Sequence, residues 1–357
     1  MSVLVVAEAG VNHNGDLDRA LEMVDVAAAA GADVIKFQAF KAESLTSRFA
    51  PKADYQVANT GDAGSQLEML RRLELADDAY PLLMERCAMR GISFLATPFD
   101  VDSIRFLAVR LKLPRIKIAS GEVTNGPYLV EAGRTGADIV LSTGMSTLDE
   151  IELALGALAF GRSGRPDGEA GPDAFLSLMR SDATRAALQG VLLLHCTTEY
   201  PSPVEDANLR AMDTLADRFG LPVGLSDHTP GITVAIAAAA RGASMVEKHF
   251  TLDRSLPGPD HKASLEPAEL RALVEGIRTV ELALGDGIKS VRPSEARNLA
   301  VARKSLVAAR PIRAGEPFDT ANLAIKRPGG GISPMRYWSV LRQTADRDYA
   351  ADEQIGI

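Results

Sequence analysis

Two histidines, His228 in LSDHT and His249 in EKHF, each stand just past a short apolar run, and the two runs are consecutive along the chain. If those runs are neighbouring parallel strands, about 5 Å apart, both imidazoles can reach one metal ion. Two nitrogen donors without a cysteine suit Mn²⁺, Mg²⁺ or a similar divalent ion with positions open to substrate oxygens, better than a closed structural zinc. Three lysines, Lys36 in VIKFQ, Lys117 in RIKIASGE and Lys248 in VEKHF, interrupt apolar runs. A buried ammonium there costs several kcal/mol unless an anion pairs with it. For Lys248 a neighbouring carboxylate such as Glu247 is the expected partner. Lys36 and Lys117, with the hydroxyls of Thr97, Ser120, Ser142 and Ser226 at the ends of other runs, suit the phosphate or carboxylate of a ligand. Glu122 follows Ser120 and Gly121 in a sharp exit, where its side chain can turn inward and exchange protons with a bound sugar or carbonyl. Asp260, in LPGPDHK, can grip substrate hydroxyls, while Glu8 suits either a direct role or a bridge to Lys36 or Lys117. The other three histidines, His13, His195 and His261, are read as positioning or structural groups.

What must position these residues is a series of eight Val/Ile/Leu-rich runs, each ending in polar residues. They are Val3 to Glu8, Val34 to Gln38, Ile92 to Thr97, Ile116 to Ser120, Ile139 to Leu141, Val191 to Leu194, Val223 to Leu225 and Met245 to Val246. Segments of helical period, such as LDRALEMVDVAAAAG and PAELRALVEGIRTVELALG, separate them. Short strands alternating with helices make parallel βα units, and eight in a row predict a (β/α)₈ TIM barrel whose post-strand loops share one face. A doubly wound open sheet is the alternative, and it would gather its polar endings at one crossover point.

With 357 residues and 46% hydrophobic content, the chain can bury roughly three quarters of its unfolded surface. A net charge of -8 and a pI near 5.3 argue against nucleic acid as the main partner. Two cysteines, Cys87 and Cys196, make neither a disulfide framework nor a thiolate metal site. The chain opens directly on an apolar run with no signal-peptide pattern, and no apolar stretch reaches about 18 residues. A cytoplasmic protein without membrane contact is expected. Residues 161–184, rich in Gly, Pro and Asp, read as an insertion on the barrel surface between the fifth and sixth strands. The barrel is expected over 1–285, a charged linker over 286–304, and a small module over 305–357, which is marginal alone and must borrow stability from a neighbour.

AEAGVNHNG, IKFQ, KIASGE, STGM, HCTTEYP, LSDHT, EKHFTLDR with PGPDHKASLEP, and finally KRPGGGISP occur in this order from Glu8 to about Tyr349. Together they resemble the sialic acid synthase family, whose members make N-acetylneuraminate and legionaminate, and the small module resembles the antifreeze-like (SAF) domain they carry. The resemblance implies condensation of phosphoenolpyruvate with an N-acetylmannosamine-type sugar and water to give a nonulosonic acid and phosphate. It implies that His228 and His249 hold a divalent metal, Mn²⁺ first with Mg²⁺ or Co²⁺ as alternatives, which polarises the open-chain aldehyde. Lys36, Lys117, Thr97, Ser120, Ser142 and Ser226 would hold phosphoenolpyruvate, while Gln38, Glu122, Tyr200 and Asp260 face the sugar. Glu122 is the proton-transfer group in this carry-over. The resemblance further implies a homodimer in which the SAF module of one subunit closes over the partner's barrel and Arg327 reaches the N-acetyl group. HKASLEP is closer to the neuraminate and legionaminate branches than to the pseudaminate branch, and no residue separates those two. Thr198 stands where some members carry an asparagine. Two readings from other classes compete: another metal-dependent phosphoenolpyruvate-condensing or aldolase-type barrel, and a non-catalytic carbohydrate-binding protein.

Overall fold

Eight parallel strands run through the first part of the chain: β1 (Leu4–Gly10), β2 (Val34–Ala39), β3 (Ser93–Pro98), β4 (Arg115–Ile118), β5 (Asp138–Ser142), β6 (Val191–Cys196), β7 (Val223–Asp227) and β8 (Met245–His249). They are seen in a computed structural model that describes residues 2–60, 64–181 and 184–356. The sheet order is β3-β2-β1-β8-β7-β6-β5-β4. β1 therefore pairs with both β2 and β8, so the first and last strands are neighbours and the sheet curls into a barrel. That pairing decides against an open doubly wound sheet. β3 and β4 pack side by side at the seam, with no ladder between them among the described residues.

The strands read as near-continuous apolar runs because both faces are covered, by barrel interior on one side and helices on the other. The helices are Leu17–Ala29, Ala79–Arg90, Val101–Ile104 continued by Arg105–Arg110, Gly126–Arg134, Leu148–Arg162, Ala211–Phe219, Thr233–Ala240 and Pro267–Leu284. Their starts are legible locally. Asp16 accepts from the backbone N–H groups of Asp18 and Arg19, and Thr147 with Glu150 forms a capping box. Met23, Leu83, Ile104, Leu129, Leu155, Leu215, Ala238 and Ile277 point from these helices into one core wrapped around the barrel. Against the size of the structure, β7 and β8 run further than their apolar runs, because a barrel interior accommodates polar side chains as long as they are paired.

Two features depart from the sequence expectations. Residues 161–184 do not form a mere surface insertion. The segment carries helix Pro172–Met179, whose Phe175 is buried in the main core against Phe160, ring centroids 5.6 Å apart. Gly156 makes this docking possible, since a Cβ there would lie 2.6 Å from the Phe175 carbonyl oxygen; residues 182–183 fall outside the described chain. The second feature is the connection from β2 to β3, which carries helices Ala42–Leu45, Asp54–Thr60 and Gln66–Leu73 before the packed helix Ala79–Arg90.

The chain divides into two units, Met1–Gly285 and Asp286–Ile357. The second unit starts with two short exposed helices, Pro293–Ala296 and Asn298–Ala302. It continues with an antiparallel pair, β9 (Ser305–Ala308) and β10 (Leu323–Lys326). It has a small core of its own, built from Leu306, Ile312, Phe318, Leu323, Val340 and Tyr349 among others. No helix among the described residues is long and apolar enough to cross a membrane.

Candidate active site

The barrel interior is built in tiers, and strand alternation sets them. Successive strand residues point to opposite faces, so every second residue enters the barrel. The floor is an apolar cluster of Val6, Val34, Leu95, Val140, Leu194 and Met245. Two residues further along each of these strands come Glu8, Lys36, Thr97, Ser142, Cys196 and Glu247, joined by Lys117 and Ser226 from β4 and β7. Two further again come Gln38, Phe99, Ala119, Thr198, His228 and His249. The upper two tiers line one cavity of about 340 Å³, within the usual range for small-ligand sites.

The middle tier is a lattice of buried charge. Lys117 Nζ donates to both Glu247 oxygens, at 2.9 and 3.1 Å. Ser226 Oγ donates to Glu247 Oε1 at 2.8 Å. Lys36 Nζ donates to Thr97 Oγ1 at 3.2 Å and lies 3.0 Å from Glu8 Oε2 and 3.3 Å from Glu247 Oε2. The contact with Glu8 is close but off the line of a hydrogen bond. All four charged groups are less than 5% exposed. Against the opposing effect of burial, Lys117, Lys36 and Ser226 hold the Glu247 carboxyl well below the usual range. Glu8 goes the other way: burial, only partly offset by Lys36 and reinforced by Glu247, pushes it up to about 7. At neutral pH the two ammonium groups therefore face one full carboxylate and one that is partly protonated. The tier has spare positive charge for an anion, and Ser142 Oγ beside it is buried without a partner.

The upper tier carries the histidine pair. His228 and His249 have ring centroids 5.4 Å apart, and the Tyr200 ring lies 4.2 Å from that of His228, tilted by 39°. The His228 Nδ1–H donates to the Thr197 carbonyl at 2.7 Å, which leaves Nε2 as the ring nitrogen open to a ligand. Burial, with His228 and Lys36 nearby, keeps His249 well below its ordinary pKa and so neutral, and its Nδ1 is buried without a partner. For His249 this is the state a metal needs; against burial, Cys196 and the Thr197 carbonyl raise the His228 pKa, so an ion binding there would displace a proton. No third His, Cys, Asp or Glu joins the pair in a metal-holding group among the described residues, so any further positions on an ion fall to water or substrate oxygens. Asp260 lies over the same cavity, and burial pushes its carboxyl up to about 6.

Of the residues singled out in the sequence, Glu8, Lys36, Gln38, Thr97, Lys117, Ser120, Ser142, Tyr200, Ser226, His228, His249 and Asp260 all line this cavity. Glu122 does not. Its Oε2 accepts from Asn125 Nδ2 at 2.7 Å in the turn after β4, and burial raises its pKa there. Arg327 is exposed just past β10 in the second unit. Lys248 does not pair with Glu247, because adjacent strand residues point apart. On the outer face it donates to Asp227 Oδ2 at 2.7 Å and to the Thr229 carbonyl at 2.6 Å. His13, His195 and His261 stay outside the cavity, and His195 and His261 bond to Ala207 O and Thr251 Oγ1. Lys36 and Lys117 each have a protein carboxylate beside them; the bridge expected of Glu8 is found at Lys36, while Lys117 takes Glu247. Glu247 is the residue that reading missed as part of the site. The signal was present: if His249 faces the interior, alternation along β8 puts Glu247 there too.

The sequence model of the NeuB family matches residues 23–289, and that of the SAF domain matches residues 303–356. The chain is 47% identical to N,N'-diacetyllegionaminic acid synthase of Campylobacter jejuni over 352 residues, which covers 99% of this chain and 98% of the relative. It is 43% identical to the N,N'-diacetyllegionaminic acid synthase of Legionella pneumophila over 343 residues, 96% of this chain and 90% of the relative. Among solved structures it is similar to N-acetylneuraminic acid (sialic acid) synthetase from Leptospira borgpetersenii in complex with citrate. That likeness has a TM-score of 0.67 and 34% identity, covering 84% of this chain and 90% of the other.

Proposed function

The chain belongs to the NeuB family, and from that premise we propose that it is a nonulosonic acid synthase condensing phosphoenolpyruvate with a 2-acetamido mannose-type sugar and water. The observation that carries the reading is the pair of buried lysines facing a cavity alongside the histidine pair. Phosphoenolpyruvate offers a phosphate and a carboxylate, and the spare positive charge of Lys36 and Lys117 with the hydroxyls of Thr97, Ser120, Ser142 and Ser226 suits both. The sugar takes the mouth, against Gln38, Tyr200 and Asp260. His228 and His249 would hold a divalent cation, Mn²⁺ in preference to Mg²⁺ or Co²⁺, which when bound supplies Lewis-acid polarisation of the sugar aldehyde. The methylene carbon of phosphoenolpyruvate forms the new bond to the aldehyde carbon, and water adds at the adjacent cationic carbon. The carbon–oxygen bond to phosphate then breaks, and phosphate leaves.

Protons must move to the aldehyde oxygen and from the attacking water. Glu8 and Asp260 line the cavity with pKa values raised by burial to about 7 and about 6, which is where a group exchanges protons well near neutrality. Glu122, the proton-transfer group in the family resemblance, is hydrogen-bonded to Asn125 and lies outside the cavity lining. We place the enzyme in the cytoplasm as a homodimer, with each SAF module and its Arg327 serving the partner's barrel.

The test is direct. Purified chain, phosphoenolpyruvate, Mn²⁺ and either N-acetylmannosamine or its 2,4-diacetamido-2,4,6-trideoxy counterpart should release phosphate and yield a nine-carbon keto acid by mass. Absence of phosphate release with both sugars would overturn the assignment.

A further inference from the structure

One buried cation has no part in the chemistry described so far. Lys248 stands between Glu247 and His249 on β8, yet its side chain is 1% exposed on the outer face of the strand, where it donates to Asp227 Oδ2 at 2.7 Å. It also donates to the Thr229 carbonyl at 2.6 Å. The Thr229 N–H and Oγ1–H donate in turn to Asp227 Oδ1, at 2.9 and 2.8 Å. Asp227 and Thr229 thus close a tight loop around His228, and Lys248 ties that loop to the residue before His249. The strand register makes the arrangement a ladder. Ser226 lies opposite Glu247, and Asp227 lies opposite Lys248. Alternation turns the first pair inward, the second outward and the next, His228 and His249, inward again.

A buried ion pair adds little net stability over well-packed apolar residues, which are what the covered outer face of a barrel strand ordinarily carries. What it adds is register. If β8 slipped by one residue against β7, Asp227 would lose its cation and His249 would turn out of the cavity. The two histidines also differ in what else holds them. The His228 ring is fixed through Nδ1 by the Thr197 carbonyl, and its own carbonyl accepts from the Ser202 N–H at 2.9 Å. No hydrogen bond among the described residues reaches the His249 ring, whose Nδ1 is buried without a partner. Its ring contacts are edge-on to Tyr200 and tilted to His228. Imidazoles that bind a metal are almost always aimed by a partner on the other ring nitrogen. We propose that Lys248 and Asp227, with Thr229, are positioning residues for the histidine pair. They set the spacing and level of His228 and His249 through the backbone, in place of the partner that the His249 ring lacks. The inference rests on the reading of that pair as the metal site, and it adds which residues outside the cavity hold the site in shape.

The experiment measures two quantities in the full chain without substrates: the melting temperature, and the Mn²⁺ Kd read from the paramagnetic resonance signal of the free ion. It compares the parent, Lys248→Met, Asp227→Asn and the variant carrying both changes. Lys248→Met leaves Asp227 buried without its cation, so its melting temperature should fall. Adding Asp227→Asn removes that charge, keeps an oxygen for Thr229 and should restore most of the loss. Mn²⁺ affinity should not follow the stability. Its Kd should rise roughly 10- to 100-fold in every folded variant, the double variant included, which is the scale for residues that support a metal ligand without touching the ion. A double variant that melts near the parent and binds Mn²⁺ within about twofold of it overturns the proposal, because the ion pair then serves stability alone. Asp227→Asn is the smallest change and keeps the test standing if Lys248→Met does not fold. Mn²⁺ binding at least about tenfold weaker in it supports the positioning role, and binding within about twofold of the parent overturns it. A parent that binds no Mn²⁺ overturns this role together with the metal assignment of the pair, and phosphate release by the same preparation decides the synthase reading separately.

Discussion

Replacing Lys117 by methionine removes one ammonium from the buried lattice while keeping most of its aliphatic volume. Three consequences can be worked from the geometry. Glu247 loses the two bonds at 2.9 and 3.1 Å but keeps Ser226 at 2.8 Å and Lys36 at 3.3 Å. Removing one partner of a buried pair costs about 3–5 kcal/mol, and those remaining contacts put the stability loss at the low end, about 3 kcal/mol. The tier also loses its spare charge. Lys117 is one of the groups that lowers the Glu8 pKa, so without it Glu8 holds its proton more firmly and Lys36 faces Glu247 one to one. Phosphoenolpyruvate, itself an anion, then loses a charged hydrogen bond worth about 1.5–3 kcal/mol, a roughly 10- to 150-fold rise in KM. Isothermal titration with phosphoenolpyruvate and initial rates of phosphate release measure this separately from sugar KM, which should change little. Lys117→Met combined with Glu247→Gln should recover part of the lost stability, because no carboxylate is left short of its cation. Phosphoenolpyruvate affinity within twofold of the parent, in a variant that remains folded, would refute the reasoning.

Three other outcomes are expected. His228→Ala and His249→Ala should each abolish phosphate release with far-UV circular dichroism unchanged, a loss beyond the roughly 10- to 100-fold typical of residues that only support a ligand; full activity in either variant or in metal-stripped enzyme contradicts the pair's assignment. Arg327→Ala should raise sugar KM roughly 10- to 150-fold for the same charged hydrogen bond, and mixing its chains with His228→Ala chains should restore activity only if each module serves its partner. Glu8 is pushed up from 4.5 to about 7, so its contribution to stability is fully present below pH 4.5 and is lost as pH rises through 7. Melting curves from pH 5 to pH 8 should therefore shift steadily in favour of Glu8→Gln over the parent, and a constant difference would exclude the buried, partly neutral state.

The barrel was legible because its strands are covered on both faces and so appear as eight near-continuous apolar runs. The polar ending of each run was equally visible, which is why most of the cavity's charged and hydroxyl groups could be named. What escaped notice was direction. Lys248 and Glu247 are neighbours in sequence, but alternation sends one to Asp227 on the outer face and the other to Lys117 in the interior. Glu122 was expected to turn inward from a sharp exit, but a local bond to Asn125 competes for its carboxylate. The fate of 161–184 depended on tertiary packing: its composition is that of a loop, and only the close approach at Gly156 lets Phe175 dock. Leu45, Met69, Leu70 and Leu73 were missed as cavity lining although helix Gln66–Leu73 is clearly amphipathic, because their connection lies outside the eight runs and their polar endings.

The lattice also bears on the order in which the molecule comes together. Lys117 and its partner Glu247 are 130 residues apart, and Lys36 touches Glu247 from the far end of the unit. Such distant contacts are the slow ones in a folding reaction, because a long loop must close before they form. On an emerging chain, β4 brings its ammonium long before β8 brings the compensating carboxylate. A ring closed early on fewer strands would trap that cation without a counter-charge, at a cost of several kcal/mol. The residues proposed to grip an anion thus also penalise a premature barrel, and the last barrel strand to be synthesised carries both the carboxylate that completes the ring and the second histidine of the pair.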